Sequence, residues 1–270
     1  MKVVHKEGSM TKTKTKNLFA IMTAMVIMLA CLVLLTACGG GGTKQPTTTE
    51  VSNYTELKTA VEGNCDIIKL TQDIDIKTEG MDKADRLNFT RKVTLDLNGK
   101  TITNSADFWS GTDEIYCMFD VTGNGDLTIT GNGKIIAKAN DAWVFRVRQG
   151  AKVTIENGEF AGNNTLAYIN TGKITINGGK FYLQQAAHEE VDPETGLAGY
   201  VYMFNCEDAN YADGSAKIEV KGGQFVNFNP AKTLTEQGGG NYVAEGYKSV
   251  KTETTIDGVK TYIFTVEKEA

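Results

Sequence analysis

The chain has 270 residues, 41% of them hydrophobic, with 28 basic against 33 acidic residues and a formal net charge of −5. That length supports a sizeable core, and the acidic balance disfavours nucleic acid and anionic membrane surfaces as partners. Two histidines and five cysteines without a Cys-x-x-Cys pair point to neither a zinc site nor a disulfide framework.

The first segment is a leader. Lys12, Lys14 and Lys16 form a positive start, an apolar run follows from Leu18 to Leu35, and the small residues Thr36 and Ala37 precede Cys38 and four glycines. A basic start, an apolar centre and small residues at the cut define a secretion signal over residues 1–37. Translation starts at Met1 or at Met10. The apolar run, ~18 residues, is near the lower limit for a membrane span, so a plain membrane anchor is the competing reading. The ending Leu35-Thr36-Ala37-Cys38 resembles the lipobox of bacterial lipoproteins, which implies a lipidated Cys38 as the mature N-terminus. Without residues 1–37 the chain has 23 basic and 32 acidic residues, a net charge of −9. Such a surface suits cationic partners or neutral glycans. His188 is then the one remaining histidine, which rules out a His-rich metal centre and gives no support to a catalytic triad. Cys65, Cys117 and Cys206 are expected as buried small hydrophobes.

Residues 38–50 are rich in Gly, Thr and Pro and are expected to be a flexible tether. The folded domain is expected over 51–270, with a helix at 51–64, coils at 65–229 and a closing segment at 230–270. In the helix, Ser52 or Asn53 is the cap, and Tyr54, Leu57, Ala60 and Val61 fall at helical spacing.

From Ile67 onward the pattern alternates and repeats. VTLDLNGKTI (93–102), LTITGNGKI (127–135), VTIENGEF (153–160), ITINGGKF (174–181) and IEVKGGQF (218–225) align. Each is apolar-polar-apolar, then a Gly/Asn corner, then one more apolar residue. The inward pairs are Val93/Leu95, Leu127/Ile129, Val153/Ile155, Ile174/Ile176 and Ile218/Val220, and Thr94, Thr128, Thr154, Thr175 and Glu219 lie outside. Ile102, Ile135, Phe160, Phe181 and Phe225 follow the corners as an inner column. Repeats starting at 93, 127, 153, 174 and 218 fit solenoid turns of three short strands, with loops inserted at 104–116 and 183–199. No turn can bury its face alone, so stacking makes the core. About six coils ~4.8 Å apart give a rod on the order of 25–30 Å long. A β-sandwich also uses short strands and Gly turns, but in-register repeats argue against it.

These coils resemble the right-handed parallel β-helix of the pectin-lyase-like class, an all-β, single-stranded solenoid. The helix resembles its N-terminal cap. The run from Asp208 to Lys248 is similar to closing segments of β-helix surface proteins of gut bacteria and their phages. The tail fits a β-hairpin cap with its turn at Asp257-Gly258.

The glycines are not a phosphate loop: one residue separates them from the next apolar residue, no helix follows, and no Gly-Lys-Ser/Thr ending is present. They are corners. The resemblance moves attention to the outer face of the strands preceding each repeat: MFDV (118–121), VFRV (144–147), LAYI (166–169) and YMFN (202–205). With Phe119, Val121, Phe145 and Val147 inward, Tyr116, Met118, Asp120, Arg146 and Arg148 face out. Asp120 and Arg146 then sit side by side on neighbouring coils. In lyases of the class such a face carries acidic calcium ligands and an Arg or Lys base. Here the alternative is a cross-strand ion pair. Either Leu166/Tyr168 or Ala167/Ile169 points in. Trp143, in phase with Phe145, is assigned to the core. Phe108, Trp109, Tyr116, Tyr200 and Tyr202 either stack on sugar rings or cover the solenoid flank. Asp113-Glu114, Glu189-Glu190 and His188 are expected as solvated loop residues.

The expectation is therefore a membrane-anchored cell-surface lipoprotein, held in the bilayer through Cys38. Its non-catalytic β-helix would bind carbohydrate through a face comprising Trp109, Tyr116, Asp120, Arg146 and Arg148. No cofactor is expected. The alternative is a polysaccharide lyase, the one case that calls for calcium.

Overall fold

The alternating triplets form short parallel strands stacked into three sheets. The computed structural model describes residues 44–76, 86–105, 116–140, 142–185, 203–233 and 240–270. The first sheet runs β1 (Thr48–Val51), β2 (Ile67–Leu70), β5 (Lys92–Asp96), β8 (Asp126–Thr130), β11 (Ala151–Ile155), β14 (Gly172–Ile176) and β17 (Ala216–Val220). The second runs β3 (Ile74–Asp75), β6 (Thr101–Thr103), β9 (Lys134–Ile136), β12 (Glu159–Gly162), β15 (Lys180–Leu183) and β18 (Gly223–Val226), then β20 (Val259–Lys268) and β19 (Tyr247–Ile256). The third runs β4 (Leu87–Phe89), β7 (Cys117–Thr122), β10 (Trp143–Arg148), β13 (Ala167–Ile169) and β16 (Phe204–Cys206). From β2 to β18 the chain visits the three sheets in a fixed rotation, and every pairing among these strands is parallel. This is an all-β parallel β-helix.

The register follows the repeats. Val93, Leu127, Val153, Ile174 and Ile218 pair in line, as do Leu95, Ile129, Ile155, Ile176 and Val220, and all are buried. Thr94, Thr128, Thr154, Thr175 and Glu219 form the outer column between them. β-Branched residues suit a strand surface of this kind. The column after the corners runs Ile74, Ile102, Ile135, Phe160, Phe181 and Phe225. Its rings stack nearly face to face: Phe160 on Phe181 at 5.2 Å and 10°, Phe181 on Phe225 at 4.9 Å and 12°. A second inner column, Phe89, Phe119 and Phe145, packs edge-on or tilted at 5.2 and 5.8 Å.

The corner at Gly178-Gly179 shows what the glycines do. Gly179 has φ +109°, and a Cβ there would lie 2.9 Å from the Gly158 carbonyl oxygen of the turn below. That oxygen accepts the Lys180 amide at 2.8 Å. A side chain would break the bond that holds one turn on the next.

At the N-terminal end, α1 (Tyr54–Glu62) starts where the Asn53 side chain accepts the Glu56 amide at 3.0 Å. Its Leu57, Ala60 and Val61 are buried in the same core. Strand β1 begins at Thr48 and pairs with β2 through Thr48–Val51, so residues 48–50, expected in the tether, belong to the folded unit spanning 46–270. At the other end β19 and β20 form an antiparallel hairpin whose two-residue turn is Asp257 (φ 51°) and Gly258 (φ 79°). Positive φ at both positions matches the twist that a two-residue hairpin needs. β20 pairs antiparallel with β18, placing Phe264 opposite Phe225. A short helix, α2 (Asp208–Ala212), which the repeat pattern does not announce, precedes β17. Cys65, Cys117 and Cys206 are free and buried.

Because Phe181 has aromatic neighbours on both adjoining turns, Phe181→Ala is expected to lower the unfolding free energy by ~3–5 kcal/mol, and Phe181→Leu by less. Urea denaturation of the two variants checks the order.

Candidate functional site

The third sheet carries the candidate site, and its geometry begins with a break in alternation. At the entry to four of its five strands two consecutive residues turn inward: Met118 and Phe119, Val144 and Phe145, Leu166 and Ala167, Met203 and Phe204 are all in the core. The backbone shows the cause. The amides of Val144 and Phe145 both donate to the Leu166 carbonyl, at 2.9 and 3.0 Å, and those of Leu166 and Ala167 both donate to Met203, at 2.8 and 3.2 Å. Two successive amides converging on one carbonyl mark a β-bulge, which resets the in-out phase.

The bulge corrects two expectations and decides a register left open. Met118 is in the core instead of facing out. Trp143 is on the outer face, half-buried, instead of in the core. The open register of β13 resolves with Ala167 and Ile169 inward and Tyr168 outward, Leu166 also being inward.

On the outer face, three aromatic rings from successive turns touch. Tyr116 meets Trp143 at 5.9 Å and 66°, and Trp143 meets Tyr168 at 5.5 Å and 37°. With Arg146 and Asn170 they line an open groove of about 330 Å³. Asn170 is held from behind: its side chain donates to Glu207, which also accepts from Asn210 at 2.9 Å.

Beside the groove lies a charge cluster. Asp120 and Arg146 are register partners on β7 and β10, as expected. The ion pair, however, is diagonal. Arg148 grips Asp120 with two bonds, Nε to Oδ1 at 3.0 Å and Nη2 to Oδ2 at 2.8 Å. Asp120 is 2% exposed, so it is covered instead of presented. Its hydrogen bonds, with its charge in support, hold the Arg148 proton more tightly than usual, against the opposing effect of burial. Burial, aided by the Asp120 charge, pushes the neighbouring Cys117 thiol up to about 12, so it stays neutral. Arg86, immediately before β4, is 4% exposed, and burial lowers its affinity for its proton.

Tyr116, Arg146 and Arg148 are thus brought together, with Asp120 beneath them. Trp109 and Cys38 lie outside the described residues, as do Phe108, Tyr200, Tyr202, His188, Asp113-Glu114 and Glu189-Glu190. Trp143, Tyr168, Asn170 and Arg86 join the site without having been expected there. The calcium site of the lyase alternative does not fit this donor set. Both Asp120 oxygens are occupied by Arg148, and among the described residues no group of three or more His, Cys, Asp or Glu could hold a metal ion.

A parallel β-helix with an aromatic-lined groove across its turns defines the class. Within it, a family model described as "Putative pectate lyase-like adhesive domain" matches residues 48–188. The match spans the groove and the charge cluster, and the chain belongs to this family. No curated protein and no solved structure matches the chain.

Among the described residues, removing Asp120 takes away the carboxylate that faces Arg86, Arg146 and Arg148, whereas removing Arg148 leaves Asp120 near two other guanidinium groups. Asp120→Ala is therefore expected to cost about 3 kcal/mol of stability and Arg148→Ala less. A double-mutant cycle by urea unfolding measures the coupling.

Proposed function

We propose that the protein is a surface-anchored, non-catalytic adhesin that binds glycan along the groove of Tyr116, Trp143, Arg146, Tyr168 and Asn170. The supporting observation is the contact of three aromatic rings from three successive turns beside an open groove. Aromatic faces offer sugars a flat apolar platform while Arg146 and Asn170 supply hydrogen-bond donors at its edge. The family's adhesive description agrees with this reading. Adhesion needs presentation outside the cell, and the leader ending in Leu35-Thr36-Ala37-Cys38 supplies the route: lipidation of Cys38 anchors the chain in the outer face of the membrane. Among the described residues no helix is long and apolar enough to cross a membrane.

Two experiments test these statements. The full chain in mild detergent is applied to a glycan array. Trp143→Ala is expected to weaken binding at least about tenfold, the loss of roughly 1.4 kcal/mol of stacking, with the melting temperature unchanged. Silence of the array, or undiminished binding by the variant, defeats the glycan reading. Separately, Cys38→Ser is expected to shift the protein from the membrane fraction of its host cells to the medium. Retention in the membrane would contradict lipid anchoring.

A further inference from the structure

The second sheet ends on an open strand. β19 (Tyr247–Ile256) is the last in its order: it pairs with β20 on one side, and among the described residues no strand lies on its other side. A two-residue hairpin closes on a hydrogen-bonded pair, here Ile256 and Val259. Alternation then turns the amides and carbonyls of the even-numbered β19 residues toward β20 and those of the odd-numbered ones outward. The Tyr247 amide follows this rule, donating away from β20 to the Ala244 carbonyl at 3.1 Å. Ser249, Lys251, Glu253 and Thr255 therefore aim their backbone groups at the open edge. An edge ten residues long and without proline is a template for another strand. A second observation falls on the same hairpin: among the described residues the exposed large hydrophobics are Val250, Ile256 and Val259.

The charges name the strand that fits. Antiparallel pairing of β19 with itself, about a two-fold axis at Thr252, sets Lys251 opposite Glu253 of a second copy, twice over. Both are pairs whose outward amides and carbonyls meet. Sliding the copies by two residues puts Lys251 on Lys251 in one direction and Glu253 on Glu253 in the other, and like charges directly opposite are destabilising. A slide by one residue sets outward groups against side chains of the wrong phase. Lys251 lies over the Tyr262 ring at 5.2 Å, and Glu253 pairs with Lys260 at 3.1 Å. These contacts are compatible with the seam, because an ammonium has three donors and a carboxylate about four acceptor sites. Ser249, whose hydroxyl is buried without a partner among the described residues, comes opposite Thr255, and such hydroxyls bond across strands. On the other face Val250 meets Thr254, and Ile256 meets the apolar stem of Lys248.

We infer that β19 is a self-association edge: two copies join their second sheets into one through antiparallel β19–β19 pairing centred on Thr252. The inference is independent of the glycan-binding reading. A seam one strand wide falls short of the ~1,200 Å² of a lasting complex, so the dimer is reversible and depends on concentration.

Disulfide trapping of the full chain in mild detergent tests it. At the axis Thr252 meets its own copy as a non-hydrogen-bonded pair, with Cα atoms ~4.5 Å apart and within disulfide range. Thr255 lies ~20 Å from its own copy in the same register. In a glutathione buffer at about 50 µM protein, Thr252→Cys is expected to give at least about fivefold more disulfide-linked dimer than Thr255→Cys. Both are counted above the wild-type chain, which carries Cys31 and Cys38. The yield is expected to fall on dilution to about 1 µM. Lys251→Glu is expected to cut the trapping of Thr252→Cys at least about threefold, and adding Glu253→Lys to restore it to within about twofold. Lys251, Thr252, Glu253 and Thr255 are all exposed, so each variant keeps its fold, which its melting temperature reports.

Equal trapping at positions 252 and 255 places the contact elsewhere on the chain and overturns the inference. Trapping at neither also overturns it, and is the result if a strand of another protein takes the edge. So does a Lys251→Glu variant that is trapped as readily as its parent.

Discussion

A single turn of this chain cannot shield its own apolar face, and everything else in the structure answers that constraint. Parallel pairing in register places each inward side chain on its counterpart, so a residue type that packs well on itself can be repeated. Phe160, Phe181 and Phe225 show the consequence as rings nearly parallel at about 5 Å. The same register that stacks the rings lines up the outer threonines and forces glycine at the corners, where the backbone of one turn lies against that of the next. The two ends, lacking a further turn, are covered by other means: α1 puts Leu57, Ala60 and Val61 into the core at one end, and Phe264 of β20 meets Phe225 at the other.

The site is a by-product of how that core is filled. The third sheet spends two consecutive residues on the interior at four of its five strand entries, and the bulge at β10 turns Trp143 outward. Once outside, its ring bridges Tyr116 and Tyr168 from the turns on either side. Further along the same strand, normal alternation presents Arg146 and Arg148, and Arg148 folds back across β7 to cover Asp120. Aromatic platform and cationic cluster are therefore consecutive features of one strand, β10.

The repeats made most of the architecture legible. Inward pairs, outer threonines, corner glycines and the aliphatic-to-aromatic column all follow from aligning five segments, because parallel pairing imposes one register on all of them. The hairpin turn at Asp257-Gly258 was equally legible, since few residue pairs accept positive φ twice. The site was legible only in part. Asp120 and Arg146 were correctly placed side by side. Trp143 and Met118 were not, because simple alternation gives no sign of two amides sharing one carbonyl. Asp120's burial escaped detection because it depends on where the long side chain of Arg148 goes, two residues beyond the register partner. Arg86 was missed because it precedes a three-residue strand outside the aligned repeats.

The pairing of β1 with β2 has a mechanical side. Were the chain anchored on its N-terminal side, as proposed, and a ligand held in the groove on β7, β10 and β13, tension would run between the two. Load then passes through the ladders β1–β2 and β2–β5, which hold four and three residue pairs in register. The later turns β17 and β18, and the ten-residue strands of the hairpin, lie beyond the groove and outside the path of force. Resistance to such a pull would be set by the first turns of the solenoid, however stable its far end is.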